Sequence, residues 1–145
     1  MKRRALIILC AALLGSSMMA ASDETVRPAK ISKPDLGGKI FDRPDVVEQT
    51  HADGHMTQTA TSLVSSDGSF SSGMYRSRKT RIEVTQPYGV DEFMYFLEGG
   101  VTLTSSDGTE LVINAGDAVT VPREWTGVFE TDGYTKIWVI YSPRD

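Results

Sequence analysis

Few residues of this chain are able to do chemistry. Glu92 sits within a run of apolar and β-forming side chains, Asp91-Glu92-Phe93-Met94-Tyr95-Phe96-Leu97. A carboxyl enclosed there would serve as a general acid or base; the competing reading is a structural carboxylate that bonds Tyr88 or a backbone amide. His51 and His55, the only two histidines, are four residues apart and would share one face of a helix. Asp53-Gly54 between them favours a turn, so a structural or exposed pair is expected rather than a metal site. Arg76, Arg78, Lys79 and Arg81 form a basic cluster. It reads as a solvated hairpin, with an anion-attracting rim as the alternative. No Ser-His-Asp constellation, phosphate loop or dinucleotide fingerprint can be assembled from what remains.

The elements that must position these residues are strands. From Gln58 onward the chain consists of short runs rich in Val, Thr, Ile, Tyr and Phe, separated by Asp-Gly and Gly. That composition predicts strands over 56–64, 73–77, 80–86, 92–98, 101–105, 110–113, 118–121, 127–130 and 134–141. Asp67-Gly68, Asp107-Gly108 and Asp132-Gly133 suit tight hairpin turns, and 77–79 is expected to turn as well. No convincing helical stripe appears after the N-terminal segment, which leaves an all-β barrel or double sheet.

Strand parity assigns faces. Ile82, Val84 and Gln86 should point inward, opposite Arg81, Glu83 and Thr85. Glu92, Met94 and Phe96 share one face and Phe93, Tyr95 and Leu97 the other, with apolar residues on both. Ile137 to Tyr141 behaves likewise. Strands of this kind need cover on both sides. The outer cover must be the N-terminal arm or a second copy, and a homodimer is the expectation.

The chain has 145 residues, room for one domain. Met1-Lys2-Arg3-Arg4, the apolar run Ala5 to Leu14 and the small residues up to Ala21 read as a secretory signal, which places the protein in the periplasm or outside the cell. The expected division is a signal peptide over 1–21, an extended arm over 22–56 and a barrel over 57–145. The arm carries Pro28, Pro34, Pro44 and Gly37-Gly38, and Ile40-Phe41 and Val46-Val47 are its candidate docking points. Cleavage would remove Lys2, Arg3 and Arg4, making the formal net charge of −4 three units more negative. Such an acidic chain is a poor partner for nucleic acid. Cleavage would also remove Cys10, the single cysteine, and with it any disulfide, thiolate nucleophile or thiolate metal site. No membrane association is expected after cleavage.

Two motifs resemble those of the cupins. Glu92 is followed by Gly99, and Gly116-Asp117 by Pro122, at the spacings of the two cupin motifs. Asp91-Glu92-Phe93, Leu97-Glu98-Gly99, Val101-Thr102-Leu103-Thr104, Asp107-Gly108 and Pro122 with Trp125 and Gly127 are similar to the short branch related to (S)-ureidoglycine aminohydrolase. The resemblance spans about Leu63 to Tyr141. It implies an all-β fold, a cupin-type double-stranded β-helix or jelly-roll barrel, here with an extended N-terminal arm. It also implies a divalent metal held by three histidines and a glutamate. Glu92 matches the glutamate, but Gln86, Tyr88 and Gly127 stand where the histidines would be, so no tightly held metal or other cofactor is expected.

The resulting expectation is an exported cupin that binds a small polar molecule in its barrel. Gln86, Tyr88 and Glu92 would provide hydrogen bonds, and Met94, Trp125 and Phe129 apolar walls. An aminohydrolase-like or isomerase-like enzyme, using Glu92 as acid or base with a weakly bound divalent metal, is the alternative. A non-catalytic structural or accessory module is the second.

Overall fold

A computed structural model describes residues 25–143. The expected signal segment and the first residues of the arm lie outside the described residues. Seven strands follow in chain order: β1 (Val47–Thr50), β2 (Met56–Val64), β3 (Phe70–Val84), β4 (Asp91–Ser105), β5 (Glu110–Asn114), β6 (Ala118–Val121) and β7 (Gly127–Tyr141). They form one antiparallel sheet in the order β1-β2-β3-β7-β4-β5, with β6 paired to β4. The free edge of β4 is shared, its first half pairing with β6 at Glu92–Tyr95 and its second with β5 at Gly100–Thr104.

The sequence reading divided each of three long strands in two. β3, β4 and β7 each run for 15 residues. Straight, such a strand would span about 50 Å, too long for a domain of about 120 residues with a radius of gyration near 14 Å. The strands therefore bend, and the sheet curls around its own core. In β4 the register against β7 shifts between Phe96 and Glu98 and again between Gly100 and Thr102. Gly99 has φ +66, and a Cβ there would lie 2.0 Å from the Gly133 carbonyl oxygen, so only glycine lets the two strands cross this closely.

Asp67-Gly68 and Asp107-Gly108 form the expected tight connections, β2 to β3 and β4 to β5. Asp132-Gly133 and residues 77–79 do not turn. Arg78 pairs with Gly133 in the continuous β3–β7 ladder, and Gly100 pairs with Gly133 on the other side. Neighbours on both edges hold the chain extended at a dipeptide whose local preference is to turn, and its glycine becomes the bend in β7 instead.

The inward face of the curled sheet carries Met94, Phe96, Val101, Leu103, Ile113, Val121, Phe129 and Tyr134, all buried in one cluster. A second cluster lies outside the sheet, where the arm docks. Helix α1 (Lys33–Leu36) opens with a capping box between Ser32 and Asp35 and has proline in its first turn. A 3-10 turn over Lys39–Asp42 follows and buries Ile40 and Phe41 against Ala60 and Met74, beside Leu97 and Ile137. Arg76 stacks its guanidinium 4.4 Å above the Phe41 ring. Burying two such side chains contributes about 1.5–3 kcal/mol each, enough to fix the arm. Of the other expected docking pair, Val46 packs against this cluster and Val47 is 63% exposed. The arm covers the Leu97 end of β4 and leaves Phe93 and Tyr95 exposed.

Candidate functional site

Four strands and one loop converge on a cavity of about 400 Å³ inside the barrel, β2 contributing Thr59 and Thr61. β7 contributes every second residue from Tyr134 to Ile140, as its two-residue period requires: Tyr134, Lys136, Trp138 and Ile140. β3 brings Tyr75, Ile82 and Val84, and Ile82, at 44% exposure, stands at the mouth. β4 supplies Glu92, and the β3–β4 loop supplies Tyr88. That loop is held by its backbone, with the Tyr88 N–H donating to the Trp125 carbonyl at 3.0 Å and the Gly89 N–H to that of Arg123 at 2.8 Å.

The polar end of the cavity is an ion pair. Lys136 crosses Met94 to donate from Nζ to Glu92 Oε1 at 2.7 Å, passing 2.9 Å from Met94 Sδ. Glu92 is 4% exposed and Lys136 5%. The Tyr88 hydroxyl donates to the other carboxylate oxygen, Oε2. The Lys136 ammonium also faces the rings of Tyr75 and Tyr134, 5.4 and 5.7 Å from their centroids. The two charges cancel, and the walls around them are aromatic and aliphatic apart from Thr59 and Thr61.

Burial governs the protonation of these groups. It pushes the Lys136 ammonium below its ordinary value, against the opposing pull of the Glu92 charge and hydrogen bond. Burial raises the Tyr88 phenol, and the adjacent Glu92 charge and hydrogen bond raise it further. Tyr134 is raised well above its ordinary value, first by burial and then by Tyr75 and Glu92. Tyr75 is raised by burial against the hydroxyls of Thr57 and Ser77. The three phenols are thus fixed as protonated donors. Trp138 Nε1 is the one buried side-chain nitrogen or oxygen among the described residues that has no hydrogen-bond partner. It belongs to a cavity-lining side chain, and an unpaired buried donor costs about 1–3 kcal/mol.

Of the six residues expected to line the site, Tyr88, Glu92 and Phe129 do so. Gln86 is exposed and outside the cavity. Its inward parity presumed a strand to residue 86, but β3 ends at Val84, ahead of Pro87. Met94 lies fully buried beneath Lys136. Trp125 stands behind Tyr88, edge-on at 6.2 Å, and donates from Nε1 to Ser105 Oγ at 3.1 Å. It buttresses the phenol and is not part of the wall.

Lys136, Tyr75, Tyr134 and Trp138 escaped the sequence reading. The signal for Lys136 was present: a lone cation in the apolar run Tyr134 to Tyr141, on the face that also carries Trp138 and Ile140. A charge on an inward parity position demands a partner, and Glu92 is the inward acid of β4.

His51 and His55 stack at 4.1 Å in the β1–β2 hairpin, away from the cavity. His55 Nδ1 hydrogen-bonds Asp53 at 2.5 Å, His51 Nε2 bonds Thr57 at 3.0 Å, and the Thr80 hydroxyl donates to Asp53 at 2.9 Å. The arrangement clamps the hairpin. In the basic cluster, Lys79 pairs with Asp132 at 2.7 Å and Arg81 with Glu83 at 2.8 Å, on exposed ladder positions. A larger depression of about 650 Å³ near Arg76, Glu48 and Asp132 is walled mainly by polar side chains. Its exposed Glu48–Gln58–Arg76 hydrogen bonds are screened by solvent and carry little selectivity.

The metal that the cupin resemblance implies does not fit the residues present. One oxygen of Glu92 takes the Lys136 ammonium and the other the Tyr88 hydroxyl. The remaining positions hold an exposed amide, Gln86, and a glycine, Gly127, which has no donor atom. A divalent cation would have to displace an ammonium 2.7 Å from its only carboxylate. Among the described residues, no group of three or more His, Cys, Asp or Glu side chains is placed to hold a metal ion.

Comparison with known proteins agrees with this architecture. The sequence model of the EutQ-like cupin domain matches residues 64–136, half of the chain. Among solved structures, a protein of unknown function from Pseudomonas syringae pv. tomato superposes with a TM-score of 0.59 at 16% identity over 66% of this chain, which spans only 43% of that protein. Ectoine synthase from P. lautus gives 0.57 at 16% identity, covering 73% of this chain and 75% of that one. The Clostridium difficile EutQ protein gives 0.53 at 21% identity, with 68% and 76% covered. These likenesses establish an all-β cupin barrel. No curated protein matches the chain in sequence.

Proposed function

Given that the chain belongs to the EutQ-like cupin domain family, we propose that it binds a small molecule in its barrel without a tightly held metal, and that the occupant is largely apolar with one hydrogen-bonding acceptor. The observation that carries this reading is a cavity of about 400 Å³ whose lining includes Trp138, a side chain with a buried, unpartnered nitrogen. The polar groups at the other end already satisfy one another, so Glu92, Lys136 and Tyr88 act as a fixed neutral pole and Trp138 holds the free hydrogen bond. Aromatic and aliphatic walls supply the bulk of the contact.

We further propose export, supported by the signal-like residues 1–21, and a homodimer, supported by the exposed apolar side chains Phe93, Tyr95 and Tyr141 on the outer face of the sheet. Among the described residues no helix is long and apolar enough to cross a membrane.

A second reading is favoured by one contact. Glu92 touches both a phenol and an ammonium, the kind of arrangement in which a carboxylate relays protons. An aminohydrolase-like or isomerase-like reaction would use it as acid or base. A purely structural module, the third reading, would have no use for an open cavity.

Thermal melts against a panel of small aromatic and aliphatic alcohols, amides and carbonyl compounds test the binding reading. Ligands with an acceptor should raise the midpoint, and a Trp138→Phe variant should lose the acceptor preference while keeping the cavity. A panel in which no compound shifts the midpoint would leave the structural module standing.

A further inference from the structure

Lys136 has a place in the cavity that the binding reading alone does not explain. It is the only amine there, it is almost wholly enclosed with its nitrogen held on Glu92, and it lines a largely apolar chamber large enough for a small aromatic molecule. A buried lysine is costly as a mere structural counter-ion, since a hydrophobic pair of similar volume commonly serves as well. A lysine desolvated in an apolar pocket beside a proton relay is, by contrast, the standard equipment for capturing carbonyl compounds.

We propose that Lys136 condenses reversibly with a small, predominantly apolar aldehyde or ketone bound in the cavity, forming an imine at Nζ. The proposal rests on the cavity being a small-molecule site. The step balances within the residues present. Lys136 passes a proton from Nζ to Glu92 Oε1 along their 2.7 Å hydrogen bond. The freed lone pair attacks the carbonyl carbon, the C–O π electrons move to oxygen, and a proton transferred from nitrogen to that oxygen gives the carbinolamine. Glu92 then returns its proton to the hydroxyl, the C–O bond breaks, and water leaves with the nitrogen lone pair forming the C=N bond. The sum is ammonium plus carbonyl giving iminium plus water, with Glu92 a carboxylate at start and finish. The buried pair is never left with an uncompensated charge in either end state, which is the condition a site this enclosed must meet.

Three features match this class of ligand. The site is neutral overall, so an anionic ligand gains no free cation and a cationic one meets Lys136. Trp138 lies two residues from Lys136 on the same face of β7 and lines the same cavity, and its indole N–H has no partner. The depressed proton affinity of Lys136 that burial produces makes the neutral amine accessible. Lys79, by contrast, is raised by Asp132 and mostly exposed, and is a built-in comparison.

The purified protein is incubated at neutral pH with one equivalent of benzaldehyde and sodium cyanoborohydride, and the benzylated lysines are located by peptide mass spectrometry. Benzyl alcohol, which cannot form an imine, is titrated in parallel by thermal shift. Lys136 should be labelled at least about tenfold ahead of Lys33, Lys39 and Lys79, because binding in the cavity holds the carbonyl beside its amine. Lys136→Arg, which keeps a cation beside Glu92, should lose the label at this position. Label spread over the exposed lysines with Lys136 untouched would overturn the proposal. If benzyl alcohol still raises the melting midpoint in that case, the binding reading survives alone. If it does not, both fall.

Discussion

Removing one member of the Glu92–Lys136 pair should cost far more than removing both. In Lys136→Met the side-chain volume is nearly preserved, but the carboxylate, at 4% exposure, keeps only the Tyr88 hydroxyl. An uncompensated buried charge of this kind destabilises by about 3–5 kcal/mol. With a urea slope of about 1–3 kcal/mol per M, the unfolding midpoint should drop by at least about 1 M. Glu92→Gln should fall at the lower end of that range, because the amide oxygen still accepts from Lys136. The double variant, Glu92→Gln with Lys136→Met, has no buried charge and should lie between neutrality and a gain of about 1–4 kcal/mol over the native protein. Alkali should relieve Glu92→Gln by neutralising the stranded Lys136 amine, whose proton affinity burial already lowers. Urea titrations of the four proteins across pH close the cycle. Additive single and double variants, or single variants each costing under about 1 kcal/mol, would refute the reading of this pair as desolvated and mutually dependent.

Other outcomes follow from the same geometry. Asp53, hydrogen-bonded to His55 and Thr80, and Asp67, bonded to Ser65 and Ser69, are each lowered from 3.8 to about 2. A depressed carboxyl stabilises above its unfolded value and loses that contribution as pH falls through the folded one. Thermal midpoints should therefore decline between pH 3.8 and about 2, and Asp53→Asn with Asp67→Asn should flatten that limb. Gly73→Ala would place a Cβ 2.2 Å from the Ala60 carbonyl oxygen and 2.8 Å from Trp138 Cζ2. It should destabilise by about 1–3 kcal/mol and, by displacing the indole, alter Trp fluorescence. Phe93→Glu, at a 42% exposed outward position, should yield a monomer in sedimentation where the native chain sediments as a dimer; a native chain that is already monomeric removes the homodimer.

The sequence by itself determined the barrel. Period-two alternation, the Asp67-Gly68 and Asp107-Gly108 turns, and the motifs at Glu92–Gly99 and Gly116–Pro122 are local signals, each read within a few residues. The same locality made Tyr88, Glu92 and Phe129 legible, because parity and spacing place them without knowledge of distant partners. It also misled. Asp132-Gly133 has the chemistry of a turn, but ladders on both of its edges keep it in β7. Gln86 has inward parity only if its strand continues, and the strand stops two residues earlier. Neither competing influence is local.

What only the tertiary structure decided is the content of the site. Lys136 and Glu92 are 44 residues apart in sequence, and nothing in either neighbourhood names the other. Their pairing depends on β4 and β7 lying side by side and on the length of the lysine stem across Met94. The unpaired Trp138 nitrogen is likewise a property of packing, since a side chain's lack of partners is set by everything around it. Local sequence fixes which way a residue points, and the curled sheet fixes what it meets there. That is why the barrel could be read directly, while the ammonium at Glu92, where the cupin resemblance implied a metal, could not.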